Sequence, residues 1–236
     1  MIVEKLYSGR LIKRYKRFLA DVELEDGEII IAHCPNPGSM LGCSAPDLPV
    51  LLTKSNNPKR KLAYTLAIVM VDGLPVVVDT SWANKLVKEA LLNKVVPELA
   101  MYDSLTTEPR FMDSRFDLHL RNSEQQGDCF VEVKSTTLLE QTVAKFPDAK
   151  TERGRKHLNR LVSAVEQGYR AVQFYLIARP DARTFEPARK IDPLYATALE
   201  ESVAQGVEVV AWDLDVRMGT TGSAEVTLRS AIPVVI

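Results

Sequence analysis

Apolar positions divide the chain into two parts of different rhythm. Up to about residue 80 they come in short runs: Val22 and Leu24 alternate with acids, Asp26-Gly27 reads as a turn, and Glu28 to Ala32 is a β-branched run. Leu48 to Thr53, Leu66 to Val71 and Val76 to Val78 continue the series, with Pro35, Pro37, Gly38, Gly42, Pro46, Pro49 and Pro58 between them. Several short strands in so short a stretch predict a small β-barrel, and an OB-type barrel is one choice. The period then lengthens. Ser81 is placed to cap a helix reaching about Ala100, with Leu86, Val87, Ala90, Leu91 and Val95 at helical spacing. That change sets a barrel domain over residues 1–81 and a second domain over 82–236.

In the second part, Thr151 caps another helix, in which Leu158, Leu161, Val162 and Val165 make one apolar stripe and Arg153, Lys156, His157 and Arg160 fall opposite. Strands over 170–178, 207–213 and 225–235 follow, with a helix over 193–205 ended by Gly206. The alternation predicts a mixed α/β sandwich.

Between the two helices lie Arg115-Phe116-Asp117-Leu118-His119-Leu120 and Cys129-Phe130-Val131-Glu132-Val133-Lys134-Ser135, joined by the polar stretch from Arg121 to Asp128. Strand alternation puts Phe116, Leu118 and Leu120 on one face and Asp117 on the other; Cys129, Val131 and Val133 share an apolar face opposite Glu132 and Lys134. In an antiparallel hairpin symmetric about the 124/125 bond, Asp117 faces Glu132 and Arg115 faces Lys134. Directly opposed carboxylates have Cβ atoms roughly 5 Å apart and repel. A hard divalent cation with oxygen ligands would relieve them, and a lysine beside them suits metal-assisted attack on a phosphodiester. A wet surface hairpin with a charged outer face accounts for the same spacing.

Composition excludes more than it selects. With 46% hydrophobic and 26% charged residues among 236, the chain reads as an ordinary globular protein. No apolar run approaches the roughly 18 residues that span a bilayer, and no signal peptide is evident, so a cytoplasmic location without a membrane partner is expected. Three cysteines, Cys34, Cys43 and Cys129, make no Cys-x-x-Cys pair; a zinc site from His33, Cys34 and Cys43 lacks the usual ligand spacing. A formal net charge of −1 announces no nucleic-acid binder, but two clusters do more: Arg10, Lys13, Arg14, Lys16 and Arg17 interleaved with Tyr15 and Phe18, and Lys59-Arg60-Lys61. A solvated basic strand or turn is the plainer account of either cluster. Asn36, Gly38 and Ser39 would alternatively offer backbone N–H groups to a phosphate. Pro147-Asp148 reads as a rigid turn into the Thr151 cap, although Glu152 and Arg153 beyond it would lie near a metal at Glu132. Glu108 would supply a third acid, or simply be a solvated loop residue before Pro109. No phosphate-binding glycine loop is present.

Six ordered strings resemble the sugar fermentation stimulation protein A (SfsA) family. They are Gly9-Arg10 through Asp21, Ala32 through Met40, Pro58 through Leu62, Ser114 through Asp117, Glu132 through Ser135, and Phe146 through Leu158. The resemblance implies an N-terminal OB-like β-barrel joined to a C-terminal PD-(D/E)xK nuclease-like α/β domain. It also implies DNA binding largely without sequence preference, and a link to regulation of sugar, notably maltose, metabolism. Carried onto this chain, Asp117, Glu132 and Lys134 match the nuclease core, with Glu108 as the preceding acid and Asp117, Glu132 and Glu108 as ligands to Mg²⁺ or Mn²⁺. Pro37 stands where a threonine is expected and Met112 where a glycine is.

The expected partner is DNA, double-stranded, held by Arg10, Lys13, Arg14, Tyr15, Lys16, Arg17, Arg60, Lys61, Arg115, Arg153, Lys156 and His157. Three outputs stand against one another: a DNA-binding regulator with a nuclease-type site, a Mg²⁺-dependent DNA phosphodiesterase, and a sugar or metabolite sensor. Oligomeric state is not set by the sequence.

Overall fold

Seven strands precede the first helix: β1 (Ile2–Val3), β2 (Tyr7–Tyr15), β3 (Leu19–Leu24), β4 (Ile29–His33), β5 (Pro49–Lys54), β6 (Tyr64–Val71) and β7 (Leu74–Val77). The computed structural model describes residues 1–123, 127–220 and 222–236; Glu124, Gln125 and Gln126, at the expected turn of the Asp117/Glu132 hairpin, lie outside the described residues. Strands β2 to β7 form one sheet in the order β4-β3-β2-β5-β6-β7, and a parallel bridge from His33 to Thr65 joins β4 to β6 and closes an OB-type barrel. Its interior is filled by Leu11, Val22, Met40, Leu52, Leu66 and Val69, all below 2% exposure. Strand β2 escaped the apolar pattern because Leu11 is its one fully buried residue and its basic side chains point outward.

Helix α1 (Ser81–Leu92) is shorter than the reading to Ala100. After Asn93 the backbone turns left-handed at Lys94, φ +55°, and the β-branched pair Val95-Val96 runs into a 3₁₀ turn at Pro97–Leu99. The capping residue is Thr80, whose hydroxyl donates to the Pro35 carbonyl at 2.6 Å, while the Ser81 hydroxyl donates to Asp79 Oδ1 at 2.6 Å.

The remaining elements are β8 (Ser104–Thr107), β9 (Arg110–Phe111), β10 (Ser114–Arg115), β11 (Leu118–Arg121), β12 (Cys129–Thr136), β13 (Leu138–Glu140), β14 (Val143–Phe146), α2 (Glu152–Glu166), β15 (Arg170–Ile177), β16 (Thr184–Pro187), α3 (Pro193–Ala204), β17 (Glu208–Met218) and β18 (Ala224–Ala231). A seven-stranded mixed sheet runs β1-β18-β17-β15-β12-β11-β8, with β12, β15 and β17 parallel. Helix α1 covers one face: Leu86, Val87, Leu118, Val131 and Phe174 share a core with Leu6, Ala67 and Ile68 from the barrel side. Helices α2 and α3 cover the other, Leu158, Leu161 and Tyr195 packing with Tyr175 and Phe185 of the strands. Each such side chain removed from water contributes about 1.5–3 kcal/mol, so two-sided burial pins β12 in place.

Leu118 faces Val131, His119 faces Phe130 and Leu120 faces Cys129, the register of a hairpin centred on the 124/125 bond. The ladder ends at Leu118 and Val131, so neither the Asp117–Glu132 nor the Arg115–Lys134 strand pairing expected from the sequence occurs. Arg115 pairs with Arg110, because a second hairpin, β8 to β11 with β9 and β10 at its tip, takes the other edge of β11. Phe116 also leaves the face of Leu118 and Leu120 and packs with the α2-side core. The change of face coincides with Glu108 opposite, held at φ +51° and followed by Pro109.

The barrel and the α/β domain are tied at one corner. The Asp148 carboxylate accepts the Met40 N–H at 2.8 Å, and its carbonyl accepts the Ser39 hydroxyl at 2.6 Å. Gly38 is required there, since an added Cβ would run into the Asp148 carboxylate. The Gly38 N–H, one of the three that the sequence offered to a phosphate, is taken by Asn36 Oδ1, and the neighbouring Met40 N–H by Asp148.

Candidate active site

Glu132 lies mid-strand in β12, flanked by β11 and β15, and is 3% exposed. Lys134, two residues on and on the same face, donates from Nζ to Glu132 Oε1 at 2.6 Å. His157, on the inward side of α2, donates from Nδ1 to the same oxygen, and its Nε2 accepts from Arg153 Nε at 3.2 Å. Burial pushes the Glu132 carboxyl upward, but the His157 hydrogen bond and the Lys134 charge outweigh it, and the group stays below the ordinary carboxylate range. Both contacts fall on Oε1 and leave Oε2 to other partners.

Asp117 sits where its strand changes face, so its side chain leans across to β12. Oδ2 accepts the main-chain N–H of Val133 at 2.8 Å, and Oδ1 accepts Asn84 Nδ2 of α1 at 2.7 Å. Burial first and the neighbouring Glu132 charge second hold the Asp117 carboxyl above its usual range, against the Val133 hydrogen bond and Lys134. Two carboxylates, one raised by the other, form a locally anion-rich spot with a lysine beside it.

Glu108 is bonded to Asp117 through the backbone, N–H to carbonyl at 3.0 Å, but its side chain is 73% exposed and meets Arg115 Nη1 at 3.5 Å. Among the described residues no group of three or more His, Cys, Asp or Glu side chains is arranged to hold a metal ion. The donor set is a pair of hard oxygen ligands. That set fits Mg²⁺, which keeps several waters and is commonly held by one or two carboxylates plus substrate phosphate. No soft ligand competes: Cys34, Cys43 and Cys129 are buried, the first two in the barrel core.

The expected phosphate-binding residues divide into engaged and exposed groups. Arg14 is engaged: its guanidinium donates to the carbonyls of Arg17, Asn36, Gly38 and Ser39 and so knits the turn that meets Asp148. Lys13 and Tyr15 both meet Asp21, Arg10 donates to the Asp47 carbonyl, and Arg17 to the Pro37 carbonyl. Arg60 donates to Thr65 Oγ1 at 2.6 Å, Lys156 pairs with Glu152 one helical turn away, and Lys16 and Lys61 are exposed. His157 stands apart, turned to Glu132 on one side and bonded to Arg153 on the other. Asn84 went unread in the sequence, where it is one polar residue on the outward side of an amphipathic helix. Two surface grooves, of about 370 Å³ and about 660 Å³, include none of Asp117, Glu132 and Lys134 in their walls. The carboxylate pair is not at the bottom of either.

Residues 12–78 match the SfsA N-terminal OB domain, and residues 81–220 match the sugar fermentation stimulation protein RE domain. The chain belongs to the SfsA family. A sugar fermentation stimulation protein homolog of Geobacter sulfurreducens is 50% identical over 208 residues, 88% of either chain. That of Geobacter metallireducens is 46% identical over 231 residues, 98% of this chain and 97% of the relative. Among solved structures, SfsA of Pyrococcus furiosus in complex with Ca²⁺ superimposes with a TM-score of 0.89 at 29% identity, over 100% of this chain and 98% of that one. The SfsA architecture is thus an OB barrel followed by a mixed α/β domain, the part matched by the RE-domain model. No helix among the described residues is long and apolar enough to cross a membrane.

Proposed function

We propose that this SfsA-family chain binds DNA, largely without reading its sequence, and hydrolyses phosphodiester bonds at a divalent-metal site formed by Asp117 and Glu132. The observation that carries this reading is the Asp117 carboxylate, held against the Glu132 strand by the Val133 N–H and raised by burial and then by Glu132. A bound Mg²⁺ or Mn²⁺ would supply Lewis-acid activation of water and neutralisation of phosphate oxygens. The Ca²⁺ complex of the P. furiosus relative supports an ion of this class. Lys134 puts an ammonium next to Glu132, where it stabilises charge developing on a phosphate oxygen. His157 orients Glu132 by holding Oε1, and Asn84 orients Asp117 by holding Oδ1. Glu108 is bonded to Asp117 through the backbone, while its side chain is turned to Arg115.

DNA affinity is assigned to the barrel. Counting β2 to β6 as the five barrel strands, Lys16-Arg17-Phe18 is the loop between the first and second, and Lys59-Arg60-Lys61 lies in the loop between the fourth and fifth. OB folds bind oligonucleotides with those two loops and the intervening face. Arg17 lies over the exposed Phe18 ring, 5.8 Å from its centroid, pairing a cation with a stacking surface.

The deciding experiment incubates purified protein with labelled duplex and single-stranded DNA in Mg²⁺, Mn²⁺ or chelator. Cleavage that needs metal and is lost in Asp117→Ala supports the proposal; equal cleavage by Asp117→Ala overturns it. A second reading, binding with regulation but no cleavage, is favoured by Glu132 Oε1 already carrying two donors and by Glu108 turned to Arg115. It predicts metal-independent binding that falls steeply with salt and no cleavage in any metal. Regulation of sugar metabolism, suggested by the relatives' name, would then follow from DNA occupancy; heat on titration with maltose would favour direct sensing.

A further inference from the structure

The hairpin that precedes Asp117 exposes an unbalanced pair of cations. Its ladder continues outward from β8 and β11 through Phe116 N–H to the Pro109 carbonyl at 3.2 Å, then pairs Arg115 with Arg110 and Ser114 with Phe111. One side is anchored: Phe111 and Phe116 pack with Phe130 and, through Phe111, with Tyr169, ring centroids 4.9–6.1 Å apart. The tip is latched to α2 by the Asp113–Arg160 ion pair and by Met112 Sδ against Gln167 Nε2 at 3.7 Å. Arg110 and Arg115 are both exposed on the other side.

Like charges directly opposed across an antiparallel pair are destabilising, and in so short a ladder little else offsets them. One acid stands there, Glu108, and it meets Arg115. The Arg110 side chain makes no hydrogen bond or ion pair among the described residues, whereas that of Arg115 meets Glu108. Two guanidinium groups, fixed on a rigid hairpin and sharing one loose carboxylate, make a site for an oxyanion with several acceptor oxygens. Arg115 is also two residues from Asp117, a strand step of roughly 7 Å.

We propose that Arg110 and Arg115 grip backbone phosphate of the DNA strand lying across Asp117 and Glu132, and that Glu108 occupies Arg115 until phosphate displaces it. This rests on the reading of the site as one for DNA. Arg115 was among the residues the sequence suggested; Arg110 was not, and its register opposite Arg115 is what brings it in.

The test measures binding of a labelled duplex by the full chain in chelator, by fluorescence anisotropy over a range of salt. Arg110→Ala should weaken binding several-fold and reduce the slope of log affinity against log salt by about one, and Arg110→Ala/Arg115→Ala by about two. Glu108→Gln, which removes the competing carboxylate, should tighten binding several-fold. A melting temperature in Arg110→Ala no lower than wild type confirms an intact fold. If Arg110→Ala and Glu108→Gln bind as wild type while Lys59→Ala/Arg60→Ala/Lys61→Ala loses affinity, the hairpin grip is overturned and the DNA reading stands. If the wild-type protein binds no duplex even at low salt, both fall.

Discussion

The carboxylate of Asp117 accepts the main-chain N–H of Val133, one residue past Glu132, at 2.8 Å. One candidate ligand is thereby fixed to the backbone of the strand that carries the other. Because burial and then Glu132 raise the Asp117 carboxyl, the folded state binds its proton more tightly than the unfolded chain does. That contribution to stability is present below the unfolded value of about 3.9 and is lost as pH rises through the raised folded value. Asp117→Asn should therefore melt above wild type at neutral pH in chelator, with the difference closing towards pH 4. In Mg²⁺ the order should narrow or invert, since only wild type gains from the ion. Calorimetric melts at two pH values, with and without metal, read all of this.

Glu132 has the opposite sign. His157 and Lys134 overcome its burial and keep its carboxyl low, so its contribution is present above the unfolded value of about 4.3 and is lost as pH falls through the lowered folded value. Glu132→Gln leaves Lys134 facing a neutral amide in a half-closed site and should cost about 3 kcal/mol at pH 7. Urea midpoints should show the gap from wild type shrinking in acid; a gap constant with pH would refute the ion-pair account.

His157 touches Glu132 and not solvent-side phosphate in this geometry, so its loss should act on the metal site. His157→Ala should lower metal-dependent cleavage about 10–100-fold by misorienting Glu132. His157→Gln, with a donor still able to reach Oε1, should recover part of that loss, while the salt slope of DNA binding stays at the wild-type value. A changed slope with unchanged metal response would return His157 to the phosphate-binding group.

The basic clusters should separate by melting and binding. Arg14→Ala removes four carbonyl contacts, three of them to the 36–39 turn and one to Arg17, and should cost about 2 kcal/mol of stability. Lys59→Ala/Lys61→Ala touches exposed side chains and should leave the melting temperature alone while lowering DNA affinity and its salt slope. Thermal melts beside anisotropy titrations distinguish the two classes.

Much of this was legible in the sequence. Two-residue alternation gave the barrel strands with apolar cores, and the centre of the Asp117/Glu132 hairpin gave the register later found at Leu118, His119 and Leu120. Thr151 was read as a cap, and its hydroxyl does accept the Gly154 N–H at 3.0 Å. What stayed hidden was the second partner of β11. Ser104 to Thr107 is a polar edge strand with one partly buried leucine, so nothing in its pattern announces a ladder, and the pairing of Arg115 with Arg110 is invisible without it. Asn84 was hidden for a different reason: a polar residue on a helix surface carries no sign of the carboxylate that will reach it from a strand 33 positions later.

Ile2 and Val3 pair with Glu225 and Ala224, so the strand at the start of the chain is completed by one made almost last. The barrel, residues 7 to 78, emerges from the ribosome whole before β12 exists, and domains tend to fold in the order they are synthesised. Throughout that interval β1 has no partner strand, and the α/β sheet lacks its outer edge until β18 arrives. Folding of the two halves is thereby staggered: the barrel loops assigned to nucleic acid come first, and the carboxylate pair with its arginine hairpin is the later acquisition.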